Sequence, residues 1–166
     1  MKAIVAVYQD WGIGANGTQP VVLSADRKFF RETTRGATVV AGRKTVMDFP
    51  NQSPLPNRKN IVLSTNHSSL PGFTVCHNVD ELLNTLTGEE NVFIIGGASI
   101  YKQLLPYCDT VYVTKLETAV QSDVFFTNLD EDDAWQLSET LLTGCENGIS
   151  YSMVKYTRTI VEKTPQ

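Results

Sequence analysis

With 166 residues, 42% of them hydrophobic and 19% charged, the chain has material for one domain with a buried core and no compositional case for disorder. A net charge of −4 argues against the basic face of a nucleic-acid-binding protein, yet leaves room for a small anionic ligand held by local cations and backbone amides. The opening MKAIVAVYQDWGIG has too short an apolar run for a secretory leader or a membrane span, so neither is expected. Cys76, Cys108 and Cys145 form no close pair and read as reduced thiols of a cytoplasmic protein. Neither His67 nor His77 has a cysteine at ligand spacing, and no metal site is expected.

In chain order, β-branched runs predict strands at Ala3 to Tyr8, Thr38 to Ala41, Asn60 to Ser64, Asn91 to Ile95 and Thr110 to Leu116. The first, second and fourth are apolar almost throughout, as strands covered on both faces are. Helical spacing marks Asp26 to Thr34, Val79 to Leu86 and Ser99 to Leu105. Strand and helix alternate, which predicts a mostly parallel sheet with helices on both faces. Trp135 to Leu142 and Ser150 to Tyr156 break the rhythm and read as an antiparallel edge hairpin, with its turn at Thr143 to Gly148. Residues 1–162 are expected to form the domain and 163–166 a frayed tail.

Five segments carry candidate chemistry. The long loop Gln9 to Val22, with Trp11, Gly12, Gly14, Gly17 and Pro20, has the length and glycine content of a mobile lid, or of a plain irregular surface loop. In Leu23-Ser24-Ala25-Asp26-Arg27 the acid is explained by helix capping, with Ser24 as N-cap. Phe29 and Phe30 nevertheless put it beside a buried face, where a carboxylate can grip an amidine-like group by two parallel hydrogen bonds. Gly42-Arg43-Lys44-Thr45 sets two cations at a helix start, an arrangement that either an anion or plain solvation accommodates. Arg58, in Leu55-Pro56-Asn57-Arg58-Lys59-Asn60, is either solvated or a bidentate partner for a carboxylate. Ile95-Gly96-Gly97 leads into a helix; it is either a tight turn or a close approach to a phosphate, and it lacks the third glycine of a Rossmann fingerprint.

Taken in order, Gly12-Ile13-Gly14, Leu23-Ser24-Ala25-Asp26, Gly42-Arg43-Lys44-Thr45, Leu55 to Ser64 and Ile95-Gly96-Gly97 resemble the dihydrofolate reductases over nearly the whole chain. The resemblance implies an α/β fold: one central, mostly parallel sheet of about eight strands with an antiparallel C-terminal edge hairpin. It implies NADPH-dependent reduction of 7,8-dihydrofolate to tetrahydrofolate, serving one-carbon and thymidylate metabolism, by a cytoplasmic monomer that antifolates inhibit. It also implies that Asp26 holds the pterin through its amino group and ring N3 and that Thr114 binds through its hydroxyl or a nearby water. Ala6, Val21, Arg27, Phe30, Phe49, Leu55, Arg58, Ile61, Ile95 and Tyr101 would contact substrate, with Arg58 on the glutamate carboxylate. NADPH would lie along Ala6, Ile13, Gly14, Gly42, Arg43, Lys44, Thr45, Leu63, Ser64, Thr65, Gly96, Gly97, Ala98, Ser99, Ile100 and Tyr101, its 2′-phosphate near Arg43 and Ser64 to Asn66. Asp123 would support the lid.

The chain departs from that pattern at its lid. Val21 follows Pro20 where the family carries a tryptophan that holds an ordered water, and Gln19 replaces a bulky apolar residue. Arg27 follows the acid and is expected to pair with Asp26 or with a ligand carboxylate. Two extra residues near Pro50 to Ser53 alter the rim. Rival readings are a pyrimidine reductase of riboflavin synthesis and a nucleotide-binding relative without catalysis.

Overall fold

The computed structural model describes residues 1–66 and 69–159. His67, the domain end at residue 162 and the 163–166 tail lie outside the described residues. In chain order the elements are β1 (Lys2–Val7), β2 (Gly12–Gly14), α1 (Ser24–Thr34), β3 (Thr38–Gly42), α2 (Arg43–Met47), β4 (Lys59–Leu63) and β5 (Thr74–Cys76). There follow α3 (Val79–Thr85), β6 (Val92–Gly96), α4 (Ala98–Leu104), β7 (Thr110–Leu116), β8 (Val124–Phe125), β9 (Trp135–Glu146) and β10 (Ile149–Arg158).

Eight strands form one sheet in the order β5-β4-β3-β6-β1-β7-β10-β9, while β2 and β8 pair separately. All neighbours from β5 to β7 are parallel; β10 pairs antiparallel with both β7 and β9. The all-buried β3 and nearly all-buried β6 and β1 form its centre, where two covered faces leave no polar alternation. Phe29 and Phe30 of α1 pack with Val39, Phe93 and Ile4 on one face. Leu82 of α3 and Leu104 of α4 join Val40 and Ile94 on the other.

Two sequence expectations are corrected here. Ser24 is not the N-cap of α1: Leu23 holds that position, and no side chain of its own caps the helix. The free amides are instead answered by Glu146, at the end of β9. Its carboxylate accepts from Ser24 N–H at 2.7 Å, Ala25 N–H at 3.1 Å and the Ser24 hydroxyl at 2.5 Å. A negative charge at a helix start is favourable, and these donors hold the Glu146 carboxyl below the usual range. The hairpin turn is also tighter than expected. β9 continues through Thr143 to Glu146, and the turn falls on Asn147-Gly148 with φ of 51° and 77°, the pair a two-residue hairpin loop requires.

Asn60, 5% exposed, shapes the turn before β4. Its amide donates to Leu55 O at 2.9 Å and Arg58 O at 3.1 Å, and its Oδ1 accepts from Leu55 N–H at 3.0 Å. Asn60→Ala leaves these backbone groups unanswered and is expected to lower unfolding free energy by about 1–3 kcal/mol in urea titration. Gly42 ends β3 where α4 crosses; a Cβ there would meet Ile100 Cγ1 at 2.8 Å. Gly42→Ala is therefore expected to cost about 1–3 kcal/mol by overpacking, read as a lowered Tm.

Candidate active site

Because β6 enters the sheet between β1 and β3, the connections that leave β1 and β6 run to opposite sides, and a crevice opens at their carboxyl ends. This cleft, about 720 Å³, is walled by Ile4 to Ala6 from β1, Ile13 to Ala15 and Gly17 to Gln19 from the lid, and Asp26, Arg27 and Phe30 from α1. Lys44, Thr45, Asp48 and Phe49 follow β3, Ile95 to Ala98 and Tyr101 follow β6, and Val124 closes the rim. The size suits a small organic ligand.

At the α1 end, Asp26 is half-buried and hydrogen-bonds with the hydroxyl of Thr114, a residue 1% exposed on β7. Burial pushes the Asp26 carboxyl above the usual range, and the Thr114 bond only partly offsets this. The expected Asp26–Arg27 pair is absent among the described residues: Arg27 is exposed on the cleft rim and makes no ion pair with the acid. Tyr101 is buried and donates its hydroxyl to Ile4 O at 2.7 Å, which ties α4 to β1 under the cleft floor.

At the other end, β3 and β6 each run into a helix whose start carries no side-chain cap. Gly96 and Gly97, joined by a cis peptide, form the wall between them. A Cβ on Gly97 would lie 3.4 Å from Thr45 Oγ1, so a side chain there would intrude between the two helix starts. With no side chain at Gly97, a ligand can approach the protein backbone closely there. A register shift between β3 and β6 pairs Val40 with Ile94 and Ala41 with Gly96, which leaves Ile95 out of the ladder and half-exposed to the cleft.

Arg58 is held outside the cleft mouth. Its Nε donates to Thr34 Oγ1 at 2.8 Å, Nη1 to Pro56 O at 2.8 Å and Nη2 to Arg31 O at 3.2 Å, and the guanidinium lies over Phe30. Burial, then the nearby Arg35 and Arg31, lower its pKa. The lid is closed onto the β7–β8 loop: Asp123 Oδ2 accepts from Asn16 N–H at 2.9 Å, and Asp123 N–H donates to Gly14 O at 3.0 Å.

Among the expected site residues, the cleft brings together Ala6, Ile13, Gly14, Asp26, Arg27, Phe30, Lys44, Thr45, Phe49, Ile95, Gly96, Gly97, Ala98 and Tyr101. Leu55 packs beside Phe30, and exposed Ser99 and Thr65 and half-buried Arg43 and Ser64 stand outside its wall. Ile61, Leu63 and Ile100 are core residues, 1%, 7% and 7% exposed, and Gly42 is buried beneath Ile100. Val21 faces a small neighbouring cavity, and Val22 takes its place in the cleft. Sequence reasoning missed Ile4, Val5, Ala15, Thr18, Asp48 and Val124; residues inside an apolar strand and residues of irregular loops carry no local mark of a cleft.

Among the described residues no cluster of histidine, cysteine or acid side chains has metal-ligand proximity, and no helix is long and apolar enough to cross a membrane. The sequence model of the dihydrofolate reductase family matches residues 1–158. The chain is 36% identical to the dihydrofolate reductase of Bacillus subtilis over 87% of its own length and 86% of that protein's. It is 32% identical to that of Neisseria meningitidis over 93% and 96%. It also matches the bifunctional dihydrofolate reductase-thymidylate synthase of Daucus carota at 34% identity, spanning only 35% of that protein's length. The dihydrofolate reductase of Enterococcus faecalis complexed with NADP(H) and RAB-propyl superposes with a TM-score of 0.84, at 34% identity and 96% coverage of both chains. The chain belongs to the dihydrofolate reductase family.

Proposed function

We propose that the chain reduces 7,8-dihydrofolate to 5,6,7,8-tetrahydrofolate with NADPH, as a cytoplasmic monomer supplying one-carbon and thymidylate metabolism. The observation that carries this reading is the half-buried Asp26 bonded to Thr114 at one end of a cleft whose other end is glycine-walled.

Thr114 fixes the carboxylate so that its remaining lone pairs face the cleft, where they accept two parallel hydrogen bonds from the amino group and ring N–H of a pterin. Phe30 and Phe49 sandwich the ring and its aryl extension, and Arg58, already oriented by three hydrogen bonds, receives the glutamate carboxylate. With no Cβ at Gly97, the phosphates of a dinucleotide could lie close to the backbone there. Gly96, Gly97, Ala98 and Ser99 would hold it with Thr45, Lys44, Ile13 and Gly14, and Arg43 with Ser64 to Asn66 would take its 2′-phosphate. NADPH, when bound, supplies the hydride for pterin C6. The protein aligns the two rings and excludes bulk water. N5 must also gain a proton; water delivers it, and Asp26 sets the polarity and orientation of the ring that receives it.

Dihydrofolate-dependent loss of NADPH absorbance tests the reading; turnover of the riboflavin precursor in its place would favour the pyrimidine reductase. In Asp26→Asn, turnover at neutral pH is expected to fall by about 10²-fold or more, and near-wild-type turnover would sink the role of Asp26. The same variant separates activity from stability. A carboxyl whose folded pKa is raised costs nothing below the ordinary carboxylate range, loses stability as pH rises through that range to the raised pKa, and carries the full cost above it. Asp26→Asn is therefore expected to raise Tm at pH 7, and the gain should vanish as pH falls through that range.

A further inference from the structure

Both ends of the lid close on one residue. Tyr8 N–H donates to Gly12 O at 3.0 Å and Tyr8 O accepts from Trp11 N–H at 2.9 Å, which sets the turn where the loop begins. The Tyr8 side chain then reaches the end of the same loop. Its hydroxyl donates to Val21 O at 2.8 Å and accepts from Val21 N–H at 3.1 Å, so one oxygen answers both polar groups of Val21. The ring is 4% exposed and packs with Leu23 and Leu116, which prevents it from swinging away. By contrast, Asn16 to Pro20 and Val22 are exposed. Val21 has only a hydrocarbon side chain, packed against the same cluster, so its polar anchorage runs through its backbone alone.

The latch stands next to the acid. Tyr8, Gln19, Val21 and Asp26 share the wall of a cavity of about 10 Å³, room for a single water beside the carboxylate. Burial, with the Asp26 and Asp10 carboxylates adding to it, raises the Tyr8 pKa against the Val21 bond, so the phenol remains a donor throughout the neutral range.

We propose that Tyr8 is a positioning residue that latches the lid backbone at Val21 and so closes the Asp26 end of the cleft to bulk solvent. The latch rests on geometry alone; its kinetic consequence rests on the dihydrofolate reductase reading. Without the hydroxyl, the Val21 N–H and C=O must turn to water, and the segment carrying Gln19 and Val22 lifts from the cleft wall.

Tyr8→Phe keeps the ring and its packing and removes only the hydroxyl. In amide hydrogen exchange without ligands, Val21 N–H is expected to be protected in the wild-type chain and to exchange about tenfold faster in Tyr8→Phe, with β1 and β7 amides unchanged. In single-turnover reaction with NADPH and dihydrofolate, hydride transfer is expected to slow by about tenfold while the KM for dihydrofolate stays within about twofold. A merely structural role would lower Tm without this split. An unprotected Val21 amide in the wild-type chain, or equal protection in both chains, overturns the latch, and equal hydride-transfer rates overturn its kinetic consequence. If the wild-type chain fails to oxidise NADPH with dihydrofolate, the functional reading fails, and the exchange comparison, which needs neither ligand, still decides the latch.

Discussion

Asp26 is kept partly out of water with one hydroxyl for a partner, and much of the architecture exists to hold it there. Thr114 meets it from β7, a strand that enters the sheet only after five others have formed its parallel body. Tyr101, tied to Ile4, seals the floor, and Phe29 and Phe30 fasten the helix that carries the acid to the sheet. A carboxylate desolvated to this degree opposes folding at neutral pH, so the surrounding core must offset it. A pterin can repay that desolvation with hydrogen bonds that bulk water no longer supplies.

The glycine-walled half works on a different principle. Few side chains are committed there; backbone is exposed at two strand-to-helix junctions, and Gly96 and Gly97 keep the space between them open. The two halves meet at β1, whose last residues touch both. Two loops cross above them, joined by Asp123 to Asn16 and by Asp10 to Ser122. Cleft shape therefore depends on contacts between segments more than a hundred residues apart in the chain.

The central strands were legible because burial on both faces leaves β-branched runs with no polar interruptions, and the position of Asp26 on an amphipathic helix was legible from Phe29 and Phe30. Strands β2, β5 and β8 were not: two or three residues hold too little pattern, and their pairing is set by the neighbours they reach. Apolar character also failed to separate cleft from core. Ile61, Leu63 and Ile100 have the same chemistry as the cleft-lining Ile13 and Ile95, yet they are buried. Ser24 has the residue type of a cap, but its partner is a carboxylate far along the chain, and Val21 reads as a lost lid anchor although the phenol of Tyr8 holds its backbone.

The Glu146 carboxylate at the start of α1 has a consequence for how the molecule is made. Residues 24 and 25 leave the ribosome early, whereas the group that answers their amides follows 122 residues behind Ser24. During synthesis the acid-bearing helix can form, but its first turn stays open to solvent until the final hairpin is added. The last strands to emerge thus complete the element on which the site is built, and a chain halted before residue 146 would carry every cleft-lining residue without a finished helix to hold Asp26.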